Sequence, residues 1–275
     1  MTKILASSAS LVAFLTLGTL GLGPLALSGC EADASPGATA DTGGSKSDTG
    51  AAGSDTGTPG DSAGGDTPAT TSEELIDDME SATGSIASTK GRNGAWYTYN
   101  DTTVGAVQTP IAGAAFLPEK LATPRGTSKY AAHTKGSGFT TWGAGMGFDL
   151  SVKASEAGTT KSPYDASAYS GLTFWGRVEA TSVTKVRLHV STHSTDEGGG
   201  VCTPKDKCGD DYGTDLAMTT DWVKYTVPFT DLSQEGWGTP SVPAFEQTQT
   251  IAIHFQLAKG ADFDVWIDDI SFIKK

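Results

Sequence analysis

The feature that most constrains this fold is a series of short runs between residues 72 and 275 in which apolar side chains recur at every second position. Such alternation is typical of strands that bury one face. The helical period of 3.6 residues never persists beyond a turn or two. Glycine, proline, asparagine, aspartate and serine separate the runs, as they do at strand ends. Strands are predicted at residues 95–99, 129–134, 144–149, 171–178, 185–191, 221–228, 250–257 and 263–273.

This pattern predicts an all-β fold, an antiparallel β-sandwich or jelly roll of about eight to ten strands. Residues 72–275 have the length of one domain. The net charge of −13 argues against nucleic acid, whose phosphates attract basic surfaces. No Rossmann or phosphate-loop motif follows any predicted strand. The sequence therefore indicates a β domain that does not bind nucleic acid.

Residues 1–29 have the features of a secretory signal peptide. Lys3 provides a positive start, residues 4–27 carry no charge, and the segment ends in Leu27-Ser28-Gly29-Cys30. The small residues before Cys30 favour cleavage and lipidation of that cysteine, while an uncleaved membrane anchor is the alternative. We therefore expect a bacterial lipoprotein of the cell envelope, anchored in a membrane by lipid at Cys30. With Glu31 next in the chain, we expect the outer membrane and exposure at the surface.

Residues 30–71 predict a disordered linker. From residue 31 onward the segment consists mainly of Gly, Ala, Ser, Thr, Asp and Pro, without any aromatic residue, Leu, Ile or Val. Such a composition cannot bury enough apolar surface to offset the entropy of ordering. A flexible coil of about 40 residues has a root-mean-square length of roughly 35 Å, which holds a domain clear of a membrane surface.

The last predicted strand contains a change of phase. Its apolar positions are Phe263, Val265, Ile267, Ile270 and Phe272. Asp268 and Asp269 lie where the alternation slips by one residue, and a β-bulge would absorb that slip. Two acids at a bulge favour a hard cation, because unpaired buried carboxylates are unfavourable. A second acidic cluster lies at residues 77–80, so the two could share one ion if the first and last strands are neighbours.

Two cysteines remain besides the lipidated one. Cys202 and Cys208 are close in an exported chain, which favours a disulfide that pins a glycine-rich loop. A zinc site is the alternative, although no CxxC motif or nearby histidine pair supports it. The acids around the pair could hold calcium or be solvated; they are Asp206, Asp210, Asp211 and Asp215.

Three predicted strands combine an apolar face with a polar outer face. The outward side chains include Trp175 and Arg177 on the first strand, Arg187 and His189 on the second, and His254 and Gln256 on the third. If these strands are adjacent, they form a surface of rings and planar donors of the kind that binds sugars. An ordinary hydrated sheet face is the alternative. Trp142 and Trp237 lie in glycine-rich loops, either as lids over a binding face or as plugs at the end of the core.

Four motifs in order resemble galactose-binding-like jelly rolls. They are Leu75-Ile76-Asp77-Asp78-Met79-Glu80, Tyr169-Ser170-Gly171-Leu172-Thr173-Phe174-Trp175, Trp222-Val223-Lys224-Tyr225-Thr226-Val227-Pro228-Phe229 and Trp266-Ile267-Asp268-Asp269-Ile270. Their order is similar to that of family 11 carbohydrate-binding modules, and the likeness covers nearly all of residues 72–275. The resemblance implies a structural calcium held by Glu80 and Asp268, with Asp78 and Asp269 as second choices. It also implies glycan binding on a concave sheet face. The cysteine loop and the solitary module on a lipid anchor depart from the family pattern.

We therefore expect a surface lipoprotein that binds a polysaccharide without changing it covalently. The expected binding residues are Trp175, Arg177, Arg187, His189, His254 and Gln256, with Trp237 and the disulfide loop at one end. A structural or adhesive surface protein without a small ligand is the alternative. A glycoside hydrolase or lyase is a further one. Hydrolysis requires two carboxylates roughly 5–9 Å apart across a cleft, and the assigned outward positions carry no such pair.

Overall fold

A computed structural model describes residues 72–156, 158–238 and 244–275. The predicted signal peptide (1–29), Cys30 and the whole of the linker (30–71) lie outside the described residues. The strands are β1 (Glu73–Asp77), β2 (Trp96–Asn100), β3 (Val107–Thr109), β4 (Glu119–Arg125), β5 (Ser128–Ser137), β6 (Gly143–Asp149), β7 (Val152–Ser155), β8 (Gly158–Lys161), β9 (Tyr169–Val178), β10 (Lys185–Thr192), β11 (Tyr212–Ala217), β12 (Val223–Pro228), β13 (Thr250–Ala258) and β14 (Phe263–Lys274). Short 3₁₀ helices span Lys205–Lys207, Phe229–Asp231 and Gln247–Gln249. Within these ranges there is no helix of the length and hydropathy needed to cross a membrane.

The strands form two antiparallel sheets. The larger sheet has seven strands in the order β12-β9-β14-β5-β3, with β1 added beside β14 and β4 beside β5. The smaller sheet has five strands in the order β11-β10-β13-β6-β2, and β7 and β8 form a separate hairpin. The predicted all-β, antiparallel sandwich of the jelly-roll type is confirmed.

One hydrophobic core is shared by the two sheets. Phe174 of the larger sheet meets Phe255 of the smaller one with ring centroids 5.0 Å apart, and both side chains are fully buried. Trp96 packs on Phe148 within the smaller sheet, at 4.6 Å between centroids. Burial of one such side chain stabilises the fold by about 1.5–3 kcal/mol. The inward rows of alternate residues therefore hold the sheets face to face.

All eight predicted strands are present, and six further strands were not predicted. The six are β1, β3, β4, β7, β8 and β11. Most of their residues are exposed, as in β4 and β8, so they lack a continuous apolar row. Alternation of hydropathy identifies strands with one buried face, and it misses these edge and hairpin strands.

The predicted bulge in the last strand is also present. The pairing of β14 with β9 shifts register between Asp268 and Ser271, and Asp269 has a φ of 45°. Apolar side chains on both sides of the bulge, among them Ile267 and Ile270, are fully buried. β14 also pairs with β1, so the first and last strands are neighbours, which meets the condition for the two acidic clusters to lie near each other.

One predicted arrangement is wrong. β9 lies in the seven-stranded sheet, whereas β10 and β13 are neighbours in the five-stranded sheet. Trp175 and Arg177 are therefore separated from Arg187, His189, His254 and Gln256 and face outward on the opposite side of the sandwich. The alternation within each strand predicts which residues point outward, but it does not predict to which of the two sheets the strand belongs.

Candidate binding cleft

A cleft of about 810 Å³ lies on the outer face of the five-stranded sheet. Its floor comes from β10 and β13, and the loops that follow β10 and β12 contribute its walls. Four of the predicted binding residues meet here because β10 and β13 are paired: Arg187 lies opposite Gln256, and His189 lies opposite His254. The predicted Trp237 also lines this cleft.

Glycines at outward positions of β6 leave room for the rings that line the cleft. Gly147 lies opposite His254 and Gly145 lies opposite Gln256 on the neighbouring strand β6. A Cβ atom at Gly147 would lie 2.4 Å from Cδ2 of His254, and one at Gly145 would lie 2.5 Å from the hydroxyl of Tyr99. Both separations are below van der Waals contact. The missing side chains therefore leave room for the imidazole and phenol rings on the floor.

Aromatic rings lie at both ends of the cleft. Tyr99 and Trp142 stack at one end, with ring centroids 6.0 Å apart and planes 28° from parallel. Trp142 is 46% exposed, and Trp237 at the other end is 49% exposed. Trp142 was predicted from the sequence as a lid or a plug, whereas Tyr99 was not among the predicted binding residues. Its signal was present in β2, where Trp96 and Thr98 are buried and the alternate residue Tyr99 points out.

The predicted disulfide between Cys202 and Cys208 is confirmed, which excludes the zinc alternative for this pair. The loop that carries Trp237 is fastened beside it by Asp210, whose carboxylate accepts N–H bonds from Glu235, Gly236 and Gly238 at 2.9–3.0 Å. Three backbone donors on one buried carboxylate fix the course of a loop. Asp210 thus positions the Trp237 loop at the cleft.

The other acids near the disulfide differ from one another. Asp206 is exposed. Asp215 is paired with Lys185 at 2.7 Å and with Arg187 at 3.4 Å. Asp211 is buried at the cleft, where its Oδ1 accepts a hydrogen bond from the hydroxyl of Thr195. Burial raises the pKa of Asp211 to about 6. Among the described residues, no cluster of three or more metal-binding side chains occurs here or elsewhere.

His254 belongs to a buried polar network behind the floor. Its Nε2 lies 2.6 Å from the hydroxyl of Tyr97, which donates to Asp149 at 3.1 Å and accepts from Nζ of Lys161 at 3.3 Å. On the other side of the ring, Nδ1 lies 3.9 Å from Oδ2 of Asp211. Burial holds the pKa of His254 well below its usual value, so the ring is neutral.

Two buried nitrogen atoms on β10 have no hydrogen-bond partner within the part of the chain that the structure describes. They are Nε2 of His189 and Nε of Arg187. Gly213, beside them on β11, keeps this space open, since a Cβ there would lie 3.1 Å from both side chains. Burial lowers the pKa of His189 to about 4, so its ring is neutral near pH 7. Both atoms have almost no exposed surface, so a ligand hydroxyl would reach them only after the side chains turn toward the cleft.

The opposite outer face carries a stack of aromatic and cationic side chains, here called the Trp–Arg ladder. Its members are Trp175, Arg125, Trp222, Arg177, Trp266 and His133. Arg125 lies 4.7 Å from the Trp175 ring centroid, and His133 stacks on Trp266 at 3.7 Å. Each cation or imidazole also meets a carboxylate; the carboxylates belong to Asp268 and Asp269, Glu179, and Glu119 and Asp264.

The predicted metal ligands are engaged by donors. Asp268, fully buried, accepts from Arg125 Nη2 at 2.9 Å and from the Ser128 hydroxyl at 2.6 Å. Burial raises the pKa of Asp268, while Ser128 and Arg125 oppose that shift. Asp269 is also paired with Arg125.

On the first-strand side, Glu80 Oε1 accepts backbone N–H bonds from Lys129 at 2.6 Å and Tyr130 at 2.9 Å. Asp78 accepts the N–H of Glu80 at 3.1 Å. These donors use lone pairs that a cation would need, and Arg125 already supplies positive charge at the bulge. The four acids do not fit a calcium ion in this arrangement, because Arg125 and Ser128 would first have to move. Calcium binding here stays a prediction.

Comparison of the sequence with protein-family models gives no match, and comparison with curated proteins gives none either. Among solved structures, a family 11 carbohydrate-binding module of a cellulosomal cellulase of Clostridium thermocellum is similar at 14% identity and a TM-score of 0.45, covering 74% of this chain and 96% of that one. A family 11 module from the same organism, in complex with a β-1,3-1,4-mixed-linked tetrasaccharide, has 14% identity, a TM-score of 0.46 and coverages of 74% and 95%.

A xylan-binding domain from Paenibacillus barcinonensis has 13% identity, a TM-score of 0.36 and coverages of 75% and 99%. The family named by the sequence motifs is thus among the matching structures. At these identities and TM-scores, no ligand and no binding residue transfers to this chain.

Proposed function

We propose that this protein binds carbohydrate in the cleft of the five-stranded sheet and does not change it covalently. The observation that carries the proposal is the combination of exposed rings at both ends, Trp142 and Trp237, with the polar side chains of His189, His254 and Gln256 on the floor between them. Sugar rings stack on aromatic faces through their C–H bonds, and their hydroxyls require donors and acceptors side by side.

The chemistry of the floor supports a sugar ligand over a purely apolar one. Neutral imidazoles, such as those of His189 and His254, each carry one donor and one acceptor. The amide of Gln256 adds both kinds of group. A hydroxyl is itself a donor and an acceptor, so it matches such a surface. The cations of the cleft, Lys185 and Arg187, are already paired with Asp215, which disfavours a polyanionic ligand.

We also propose that the domain is displayed at the cell surface. The support is in the sequence: a signal that ends at Cys30 and a linker of low complexity over residues 30–71. A lipid at Cys30 would hold the chain in a membrane, and the linker would let the cleft reach a polysaccharide outside it.

The test is binding of the full chain, held in detergent, to a broad panel of soluble polysaccharides. Trp142→Ala should weaken retention of any bound glycan roughly tenfold, since a stacking platform is lost. The matched control is Trp175→Ala on the opposite face, which should leave binding unchanged. A folded protein that retains no glycan would contradict the proposal and favour an adhesive or scaffold role. Loss of binding only in Trp175→Ala would move the site to the Trp–Arg ladder.

A further inference from the structure

The cleft contains one pair of atoms whose chemistry selects among sugars. His254 Nδ1 and Asp211 Oδ2 face each other across 3.9 Å at its floor. Only 7% of the Asp211 side chain and 12% of the His254 side chain are exposed. Oδ2 of Asp211 accepts no hydrogen bond from any residue in the described ranges, since the Thr195 hydroxyl bonds the other oxygen.

The protonation of His254 follows from its neighbours. Lys161 can only donate, and its Nζ lies 3.3 Å from the Tyr97 hydroxyl and 3.2 Å from Asp149. We assign the single Tyr97 proton to the Asp149 carboxylate, which can only accept. The remaining lone pair of Tyr97 is then matched by an N–H on Nε2 of His254, 2.6 Å away. In a neutral imidazole with its proton on Nε2, Nδ1 carries a lone pair and no proton. Nδ1 is therefore an acceptor.

Two acceptors thus face each other, and only a group with at least two donors satisfies both. A sugar hydroxyl has one proton and would leave a lone pair directed at the second acceptor. An ammonium has three N–H donors and no lone pair, and it also neutralises the carboxylate. A nitrogen about 2.9 Å from each acceptor closes a triangle on the 3.9 Å base.

We propose that the glycan bound in the cleft contains an amino sugar, whose ammonium group lies between Nδ1 of His254 and Oδ2 of Asp211. The inference rests on the proposed carbohydrate binding and adds the chemical class of the ligand. Asp211 is then the residue that determines specificity. Trp142 and Trp237, by contrast, recognise sugar rings of any substitution.

Burial of Asp211, and after it the charges around the carboxyl, set the pH range of this preference. Lys161 of β8 favours its ionised form, whereas Asp196 and Asp210 oppose it, and His254 of β13 is neutral. Burial and these acids leave the Asp211 pKa at about 6. Above that pH the carboxylate accepts from an ammonium. Below it, the protonated carboxyl can donate to His254 and the ammonium loses its partner.

The test uses three β-1,4-linked oligosaccharides of equal length that differ only at carbon 2. They carry a hydroxyl (glucose units), an acetamido group (N-acetylglucosamine units) or a free amine (glucosamine units). Titration calorimetry with the full chain near neutral pH should give the tightest binding for the amine. Asp211→Asn should weaken that ligand roughly 10- to 100-fold, the usual range for a hydrogen bond to a charged group. It should change the hydroxyl oligomer little.

Asp221→Asn removes one negative charge from an exposed loop beside the other sheet and is the matched control, with no expected effect on any of the three. If Asp211→Asn does not fold, the wild-type protein carries the test alone: its preference for the amine over the hydroxyl should shrink as pH falls through about 6.

Tighter or equal binding of the hydroxyl oligomer, or failure of the amine oligomer to bind at all, would overturn the inference while polysaccharide binding in the panel still stands. Absence of any binding in that panel would overturn the proposed function and this inference together.

Discussion

The two outer faces of the sandwich carry similar side chains but differ in how completely those side chains are paired within the protein. On the seven-stranded sheet, the Trp–Arg ladder combines three tryptophans with two arginines and a histidine, and every cation or imidazole meets a carboxylate of the protein. On the five-stranded sheet, His189 and Arg187 retain nitrogen atoms without hydrogen-bond partners among the described residues.

This difference separates a structural surface from a candidate binding surface. Aromatic and cationic composition alone would assign a ligand to either face. A polar group that is already paired within the protein has little to gain from a ligand, whereas a buried unpaired group gains the full hydrogen bond. The five-stranded face also carries a cleft of about 810 Å³, and Gly145 and Gly147 leave room for the Tyr99 and His254 rings that line it. The five-stranded face is therefore the candidate binding surface, because it has a cleft and polar groups that are not paired within the described residues.

The substitution with the largest expected effect is on the seven-stranded face. It replaces Arg125, the cation that contacts both Trp175 and Trp222 in the Trp–Arg ladder. Arg125→Gln should lower the free energy of unfolding by about 3–5 kcal/mol, because it leaves the fully buried Asp268 carboxylate without its partner. Urea denaturation measures the change. Lys224→Gln is the control: its pair with Glu73 is more than one-third exposed, and its loss should change stability by less than about 1 kcal/mol. Equal effects of the two substitutions would refute a structural role for the ladder.

The same variant tests the predicted calcium site. With Arg125 present, a chelator should leave the melting temperature unchanged, since the guanidinium already balances Asp268 and Asp269. In the Arg125→Gln variant, the carboxylates of Asp268 and Asp269 have lost the guanidinium. Added calcium should then recover part of the lost stability, as any ligand of the folded state does. A fall in the melting temperature of the wild-type protein on chelation would instead establish a metal that the fold needs.

A second test concerns the free-energy cost of burying the Asp211 carboxylate at the cleft. Asp211→Asn should raise the free energy of unfolding near pH 7 by about 3 kcal/mol, because burial raises the pKa of Asp211 from 3.8 to about 6 and thus disfavours its charged form. The new amide can also donate to the bare Nδ1 of His254.

The gain should shrink as pH falls through about 6 and vanish near the unfolded value of 3.8, where both states are protonated. Denaturation of both proteins across this range measures it. A less stable variant at neutral pH would show that the Asp211 carboxylate stabilises the fold and is not held there at a cost.

The sequence predicted the strands and outward rows well, since both depend on local alternation. It did not predict which rows share a face. Leu172 and Phe174 of β9 alternate as Val186 and Leu188 of β10 do, yet the strands belong to different sheets. That assignment depends on pairing between residues far apart in the chain. The sequence did not distinguish Asp211 from the other acids of its loop. Its burial arises only when the loop with Thr195 folds beside it.

The smallest expected effect concerns the loop at one end of the cleft. Trp237→Ala should weaken glycan binding roughly two- to tenfold, equivalent to about 0.5–1.5 kcal/mol for one aromatic platform. Asp210→Asn should produce part of the same loss without touching the ligand. It removes the charge that holds the N–H groups of Glu235, Gly236 and Gly238, so Trp237 spends less time over the cleft.

A double-mutant cycle distinguishes positioning from direct contact. If Asp210 acts only through Trp237, the double variant should bind as weakly as Trp237→Ala alone, and the two losses should not add. Additive losses would mean that Asp210 affects the ligand by a separate route. Melting curves of the three variants provide the control, because a loop that merely loosens should leave the sandwich core intact. The cycle thus tests whether the position of Trp237 on the five-stranded face depends on the buried carboxylate of Asp210, as the Trp–Arg ladder on the seven-stranded face depends on that of Asp268.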